Sequence, residues 1–518
     1  MQQNTRRSFR LTCPAAQTTL VEELLCAQGF VFEADPVHPA ARAFLHTPLA
    51  PGASLAALFG FIYMQDRSSM LPPIALATEQ GDCVLDLCAG PGGKSGMLAL
   101  AAGRTGFVAA NEPAPKRSAV LRANLSAHNM LCCVTVSCPG ERFPRPEGGF
   151  LRILLDPPCS GWGTAAKHPG IKDLWRGDKI RPLITLQRKL LTRAAELLSP
   201  GGRLVYSTCT TNREENEAQI RFACDELGLE FLPPDFYPPA FALEEPDLPC
   251  FAGVWKVRAP QAEDPGLGGQ GFFVARLGKK GGTTKEDPPA ARTPADNAGN
   301  RQSGGDACRN PAAQTLREDT GGGGAGPSTG APPRGTRAVP LSFLAGPYVD
   351  PSLLPPGQVL LSAGDLFFLP ESGAKLPEHF KIDNTRAART QSAAGRPEGA
   401  GDTALRRQAP KGASRNQIAV RTGTPPGLRA FPLGRVGADG AAHVNPRLRS
   451  LMPAPADLAR SSLPHLSVDE AEPLLALVSG QGLRVDADLK ETGLYFRDLP
   501  LCRLTVKGGR ALLPRASR

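Results

Sequence analysis

Short apolar runs recur through the middle of the chain and alternate with longer amphipathic stretches. The runs are four to six residues long, which suits strands and is too short for helices. The stretches at 114–128 and 184–198, and a third that ends near Ala102, have apolar residues at helical spacing. This alternation predicts an α/β domain built on a doubly wound, mostly parallel sheet. Seven strands are expected, at 84–87, 107–112, 134–137, 151–155, 203–207, 229–232 and 272–277.

The chain on either side of this core has a different pattern. The first part predicts a small α/β module, in which 18–26 is a helix. Beyond the core, a Gly/Pro/Ala-rich tract predicts a disordered linker. The last part has short strands, glycine turns and cations, which is typical of a small β-rich RNA-binding barrel, and a low-complexity basic insert interrupts it near 385–416. The four parts are predicted at 1–59, 60–278, 279–337 and 338–518.

Composition narrows the class of protein. The 13 cysteines are scattered, no CxxC pair occurs, and the basic N-terminus is not followed by an apolar run. We therefore expect a reduced, cytoplasmic protein with free thiols and without a zinc site. No apolar stretch in the sequence reaches membrane-spanning length. The net charge of +10 suits a polyanionic partner, although many soluble proteins share such a charge.

A glycine-rich loop follows the first strand of the predicted sheet. The stretch from Asp82 to Ser95 reads DCVLDLCAGPGGKS, which matches neither the dinucleotide fingerprint nor the P-loop. Asp86 at the strand end would repel a pyrophosphate. S-adenosylmethionine fits better, because a carboxylate and backbone amides can hold its amino acid and sulfonium groups. The candidate cofactor-binding residues of this loop are Cys88, Ala89, Gly90, Pro91, Gly92, Gly93 and Lys94.

Two further acids extend the predicted cofactor site. Glu112 ends the second strand, 22 residues after Gly90, where related sheets keep the acid that binds ribose hydroxyls. Its alternative role is to cap the helix that follows. Asp156 ends the fourth strand and is expected to border the cofactor as well.

Thiols follow two neighbouring strands at the edge where open α/β sheets bind ligands. The fourth strand runs into DPPCSGWGT, where two prolines turn the chain out after Asp156 and present Cys159. The fifth strand runs into Thr208 and Cys209. Either thiol could instead be a small buried apolar group, and Asp156 could cap a helix. The convergence of two thiols and a carboxylate beside a cofactor site favours chemistry.

That combination has a specific use. Carbon C5 of cytosine is a poor nucleophile, and a thiolate that adds to C6 converts the ring into an enamine-like species that can accept a methyl group. Asp156 suits the N3 and N4 positions of the base, and a base must later remove the C5 proton. Two thiols can divide attack and release.

Four motifs resemble the NOP/Sun family of RNA cytosine-5 methyltransferases. They cover about 60–277, and their order and spacing match the family. The resemblance implies a Rossmann-like S-adenosylmethionine-dependent core in which Cys209 is the nucleophile and Cys159 assists product release. It also implies that Lys94 lies in the active site and that Asp156 contacts the target base. The motifs are DLCAGPGGKS, NEPAPKRSAVLRANL, DPPCSGWGT and LVYSTCTTNREENE.

The C-terminal region carries a weaker resemblance, in GDLFFLPE, LRAFPLGRVG and GLYFRDLPL, to family members that act on small-subunit (16S) ribosomal RNA. Those members end in a PUA-like RNA-binding domain, so the resemblance implies a ribosomal RNA cytosine. The sequence departs from the family at three places. Pro139 stands near the aspartate expected after strand three, with Glu141 as a possible substitute, and Pro157 replaces a small residue. Trp162 replaces a smaller or charged residue, and could stack on a base or pack against a helix.

Other classes remain open at this point. A DNA cytosine methyltransferase would exchange the thiol roles, but it leaves the thiol of strand five without a task. An amino-methylating enzyme would have an aromatic residue where Cys159 stands. A transfer RNA substrate, or a ribosome-assembly factor that binds RNA without catalysis, are the further alternatives. We expect a monomer that holds RNA through its N-terminal module, linker and C-terminal region.

Overall fold

An antiparallel sheet of four strands and two short helices form the N-terminal module. The first helix turns Val21, Leu24 and Leu25 into the core, as its helical spacing dictates. The sheet has the order β2, β3, β1, β4. In chain order the elements are β1 (Ser8–Leu11), α1 (Thr18–Cys26), β2 (Val31–Ala34), β3 (Ala41–His46), α2 (Leu55–Leu58) and β4 (Ile62–Met64). The computed structural model describes residues 7–165, 168, 170–175, 177–234, 241–245, 251–258, 269–281, 337–371, 381–382, 427–461 and 463–514.

A mixed sheet dominates the middle of the chain and has the Rossmann-like arrangement. Its central strands run parallel in the order β7, β6, β5, β8, β9, and β13 joins β9 antiparallel. All seven predicted strands are present. The strands are β5 (Cys83–Asp86), β6 (Phe107–Asn111), β7 (Cys133–Ser137), β8 (Phe150–Leu155), β9 (Leu198–Thr208), β10 (Leu229–Phe231), β11 (Leu243–Glu244), β12 (Trp255–Val257) and β13 (Phe272–Lys279).

Helices cover both faces of this sheet because its buried strands are apolar on both sides. Alternation along β5 sends Val84 into the cluster under α3, α4 and α5, and Leu85 into the cluster under α7 and α8. The helices are α3 (Leu71–Leu76), α4 (Gly93–Ala102), α5 (Pro115–Ala127), α6 (Ile171–Leu174), α7 (Arg181–Leu197) and α8 (Glu217–Asp225).

The C-terminal region contributes two separate five-stranded sheets. One has the order β14, β15, β16, β19, β20, and the other has the order β21, β23, β24, β25, β22. A PUA-like identity for this region stays a prediction. The elements are β14 (Arg337–Val339), β15 (Gly357–Ser362), β16 (Asp365–Pro370), β17 (Lys381–Ile382), β18 (Gly427–Arg429), β19 (Phe431–Val436), β20 (Ala442–Val444), α9 (Pro455–Arg460), β21 (His465–Val468), α10 (Ala471–Val478), β22 (Leu483–Arg484), β23 (Glu491–Phe496), β24 (Leu499–Lys507) and β25 (Arg510–Leu512).

Two features differ from the sequence predictions. The central sheet has eleven strands among the described residues instead of seven, because β11 and β12 extend one edge and β17 and β18 the other. These strands have two or three residues each, too few to register as a pattern. Strand β4 pairs with β1, so the boundary predicted after residue 59 cuts through the N-terminal sheet. Most of the predicted linker (282–336) and the insert near 385–416 lie outside the described residues.

The N-terminal module and the last sheet share one hydrophobic core. Phe9 and Leu24 pack in the same cluster as Leu494 and Phe496. Beside it, the buried guanidinium of Arg449 donates hydrogen bonds to backbone carbonyls of the N-terminal module and of α5. The N-terminal module and the last sheet are therefore one packed unit, which Arg449 joins to α5.

Candidate active site

The two predicted thiols meet at the carboxyl edge of the central sheet. Strands β8 and β9 are parallel neighbours in which Leu155 pairs with Tyr206, so their ends lie side by side. The sulfur atoms of Cys159 and Cys209 are 3.4 Å apart, and both residues are half-buried. Two residues that are 50 positions apart in the sequence thus form one pair.

The pKa values of the two thiols are shifted in opposite directions. The hydrogen bond between the two sulfurs raises the pKa of Cys159 well above its ordinary value, and burial acts in the same direction. The same hydrogen bond lowers the pKa of Cys209, and the nearby Lys94 ammonium also lowers it, while burial and the charge of Asp156 act in the opposite direction. Cys209 is therefore the sulfur that more readily becomes a thiolate, which is the nucleophilic form.

Lys94 and Asp156 form an ion pair beside the thiols. The Nζ atom of Lys94 lies 2.6 Å from Oδ2 of Asp156, and the Ser207 hydroxyl donates to Oδ1 at 2.7 Å. Burial alone would lower the pKa of Lys94, but the charge of Asp156 and its hydrogen bond outweigh burial and raise it. Lys94 is therefore a permanent cation at this edge, 5.6 Å from the centre of the Phe272 ring.

A buried carboxylate that the sequence interpretation assigned no chemistry connects the two thiol loops. Glu215 is fully buried and accepts hydrogen bonds from the backbone N–H and the hydroxyl of Ser160, which follows Cys159. It also accepts from Gln187 of α7 and from Asn212 in the loop after Cys209. The only sequence signal was its place among acids that open a helix.

That helix begins later than the acids suggest. Helix α8 starts at Glu217, and the Asn212 side chain accepts from the Glu214 backbone N–H within the preceding turn. From the sequence alone, Asn212 is predicted to be the N-cap of a helix opened by Glu214, Glu215 and Asn216. That prediction is wrong, because the chain makes one further turn before α8. This extra turn is what directs Glu215 inward.

The glycine loop fits a small cofactor closely. A Cβ atom at Gly90 would lie 2.4 Å from Oε2 of Glu112, and Gly92 has φ of +110°, which favours glycine. Glu112 itself accepts from the Ala114 backbone N–H at 3.0 Å and lies 3.2 Å from the Arg117 guanidinium. Glu112 does not cap α5, whose N-cap is Ala114 without a side-chain cap hydrogen bond. It borders the glycine loop, and its role toward a ribose stays a prediction.

Asp86 stands at the base of the same loop. Burial raises the pKa of its carboxyl to about 7, against the Ser95 hydroxyl, which donates to it at 2.7 Å, and the charge of Lys94. A carboxyl held in this way gains its charge most readily when a cation approaches. These residues fit S-adenosylmethionine, which presents an ammonium and a sulfonium.

Two residues that bear on the departures from the family pattern, Pro139 and Glu141, follow strand β7. Asn111 donates to the carbonyls of Leu87 and Cys138 and so joins the ends of three strands, just before Pro139. Glu141 lies in a short helical turn, Gly140–Arg142, that packs against α7, and its role toward the cofactor stays a prediction.

Trp162 follows the first thiol loop and is half-buried. Its indole Nε1 is buried without a hydrogen-bond partner among the described residues. The next residue fixes the local backbone, because Gly163 donates to the carbonyl of Cys209 at 3.0 Å and a Cβ there would lie 2.2 Å from the Gly271 carbonyl. Both predicted roles of Trp162 remain open.

Two general features complete the description of the site. Within the described ranges, no three His, Cys, Asp or Glu side chains are grouped so as to hold a metal ion. None of the helices in those ranges has the length and apolarity needed to cross a bilayer.

Comparison with known proteins agrees with the motifs. The family model of 16S rRNA methyltransferase RsmB/F matches residues 73–227. Ribosomal RNA small subunit methyltransferase F of Enterobacter sp. (strain 638) is 36% identical over 261 residues, or 49% of this chain and 50% of the relative. The same protein of Salmonella paratyphi B is 37% identical over the same lengths. The chain spans about half the length of these curated relatives.

A solved structure of a methyltransferase homolog protein from Pyrococcus horikoshii is also similar. It is 31% identical, and the match covers 53% of this chain and 87% of that one, with a TM-score of 0.45. The family match confirms the resemblance that the motifs carry. Residues 73–227 therefore match the RsmB/F methyltransferases, which supports the NOP/Sun-type resemblance and S-adenosylmethionine as the cofactor.

Proposed function

We propose that this protein methylates C5 of a cytosine in RNA, and that its substrate is small-subunit (16S) ribosomal RNA. The polarised thiol pair carries the proposal, because two sulfurs 3.4 Å apart with opposite pKa shifts suit one nucleophile and one assisting thiol. The ribosomal substrate is supported by the names of the relatives, which match about half of their length.

The first step is attack by Cys209. Its sulfur forms a bond to C6 as the C5–C6 π bond breaks, and the electron pair moves to C5. Asp156 accepts a hydrogen bond from the exocyclic N4 group, and the Lys94 ammonium beside it stabilises the negative charge that builds up on the ring. When bound, S-adenosylmethionine supplies an electrophilic methyl group to C5.

The second step is release. A base removes the C5 proton, the C5–C6 double bond reforms, and the bond from C6 to the sulfur of Cys209 breaks. Cys159 is suited to this step because its pKa is raised by the hydrogen bond to Cys209 before attack. Once Cys209 is a neutral thioether, that hydrogen bond and its charge are lost, so the pKa of Cys159 falls and only burial still raises it. Cys159 then gives up its own proton to solvent before it accepts the C5 proton, and the electron pair of the broken bond returns to the sulfur of Cys209.

The polarity of the pair also argues against the exchanged roles of a DNA cytosine methyltransferase. In that arrangement Cys159 would attack, yet its pKa is the one that is raised. The target base must reach a half-buried sulfur at the sheet edge, so we expect it to be flipped out of its helix or taken from a loop. The N-terminal module and C-terminal region would bind the surrounding RNA in the cytoplasm, with the protein as a monomer.

A denaturing gel tests the proposal. Cys159→Ala and Cys209→Ala variants are incubated with small-subunit ribosomal RNA, transfer RNA and labelled S-adenosylmethionine. We expect Cys159→Ala to run as a stable protein–RNA adduct with ribosomal RNA, and Cys209→Ala to run free. An adduct with Cys209→Ala instead would reverse the thiol roles, and an adduct only with transfer RNA would change the substrate. If wild type binds RNA but transfers no methyl group, the protein is a binding factor.

A further inference from the structure

Arg10 of the N-terminal module reaches the glycine loop of the active site. The side chain leaves β1, and the residue is only 1% exposed. Its Nη2 donates to the carbonyl of Gly93 at 3.0 Å, and its Nε donates to Oε1 of Gln65 at 2.8 Å. Burial lowers the pKa of this guanidinium to about 10, which reflects how unfavourable the placement of a cation there is.

Arg10 and Tyr63 of the N-terminal module lie close to two glycines of α4. A Cβ atom at Gly96 would lie 2.6 Å from Nη2 of Arg10, and one at Gly93 would lie 2.9 Å from Cε1 of Tyr63. The Arg10 guanidinium itself lies 5.3 Å from the centre of the Tyr63 ring. The two glycines thus allow the N-terminal module to pack directly against the first turn of the helix.

We infer that Arg10 is a positioning residue that fixes the glycine turn for S-adenosylmethionine. This inference rests on the proposed function. It gives the N-terminal module, predicted only to bind RNA, a task in cofactor binding.

The physical reason lies in the backbone of the turn. Gly92 and Gly93 have no side chains to restrict them, so ordering this turn loses more conformational entropy than ordering other residues. A hydrogen bond from a buried, rigid guanidinium orders the turn before the cofactor arrives, and preorganisation of this kind raises affinity. The next residue, Lys94, starts from the turn and reaches Asp156, so the same contact also fixes the catalytic cation.

The test compares two buried arginines that each join the N-terminal module to another part of the chain. Arg10→Met removes the donor to the glycine turn. Arg449→Met is the matched control, because Arg449 is 6% exposed, has its pKa lowered to about 10 by burial, and donates to Gly60 and Phe59 away from the turn. Calorimetry measures the Kd for S-adenosylhomocysteine, a thermal melt measures Tm, and filter binding measures RNA affinity.

We expect Arg10→Met to raise the Kd about tenfold or more with RNA affinity within about twofold of wild type. Both variants should lower Tm by similar amounts, because each loses a buried, hydrogen-bonded guanidinium. Arg449→Met should nevertheless leave the Kd within about twofold of wild type. Equal Kd changes in both variants, or an unchanged Kd in Arg10→Met, overturn the inference. If wild type itself does not bind S-adenosylhomocysteine, the proposed function fails instead.

A second variant decides the matter if Arg10→Met does not fold. Gln65→Met keeps the guanidinium but removes the acceptor that orients its Nε. We expect a Kd raised about threefold or more, and an unchanged Kd would overturn the inference.

Discussion

The sulfur of Cys159 lies 3.4 Å from the sulfur of Cys209, and the hydrogen bond between them shifts the two pKa values in opposite directions. One sulfur is thereby prepared to attack and the other to keep its proton. The two sulfurs meet because β8 and β9 are parallel neighbours in which Leu155 pairs with Tyr206, so the loops that follow both strands lie at the same edge of the sheet.

Removal of the donor thiol should make Cys209 less acidic. In Cys159→Ala the pKa of Cys209 rises, since its thiolate no longer accepts a hydrogen bond. The pH midpoint of alkylation of Cys209 by iodoacetamide, read by mass spectrometry, should therefore move upward. Cys159→Ser, whose hydroxyl can donate, should restore part of the shift. A midpoint that stays in place or moves downward would show that the pair is not polarised as described.

Lys94 and Asp156 should act as one unit. Because their charged atoms are 2.6 Å apart, loss of either leaves the other unpaired. We expect Lys94→Met and Asp156→Asn each to lower kcat about 100-fold, and the double variant to be little worse than either. Single-turnover rates with excess enzyme measure the effect. Multiplicative losses in the double variant would mean that the two residues act independently.

Glu215 should be more important for stability than its neighbour Glu214. Its buried carboxylate accepts from Ser160, Gln187 and Asn212, and an amide at this position would turn a donor toward other donors. We expect Glu215→Gln to lower the free energy of unfolding by about 2–4 kcal/mol. Glu214→Gln, which changes an exposed residue, is the matched control and should lie within about 0.5 kcal/mol of wild type. Urea unfolding measures the free energy of unfolding of both variants. Equal losses in the two variants would refute a specific role for Glu215.

Asp86 should make stability depend on pH in an unusual direction. Burial raises the pKa of its carboxyl from an ordinary value of 3.8 to about 7 in the folded protein. Between these values the folded state holds the proton more tightly, so stability from this group falls as pH rises and levels off above about 7. Asp86→Asn removes the dependence. Urea unfolding at pH 5 and pH 8 should show the variant gaining relative to wild type at pH 8, and a gain at pH 5 would contradict the assignment.

The convergence of the two thiols and Asp156 could be predicted because it depends on a simple rule. Parallel strands end at the same edge, so residues that directly follow β8 and β9 must meet. The role of Glu215 could not be predicted in this way. Glu214 and Glu215 are identical in type and adjacent, and only the turn before α8 decides which one is buried.

Long-range packing explains the other differences. Strand β18 pairs with β7 across nearly 300 residues, and no local pattern encodes such a partner. The same holds for Arg10, which reads as an ordinary cation in a basic N-terminal segment. Its burial depends on two glycines of α4 that leave room for its guanidinium.

The shared core of the N-terminal module and the last sheet has a consequence for biosynthesis. Phe9 and Leu24 are synthesised long before their partners Leu494 and Phe496. At roughly 5–20 residues per second, the apolar face of the N-terminal module stays uncovered for about half a minute to a minute and a half. We therefore expect the apolar face of the N-terminal module to need protection from aggregation until translation has passed the last sheet.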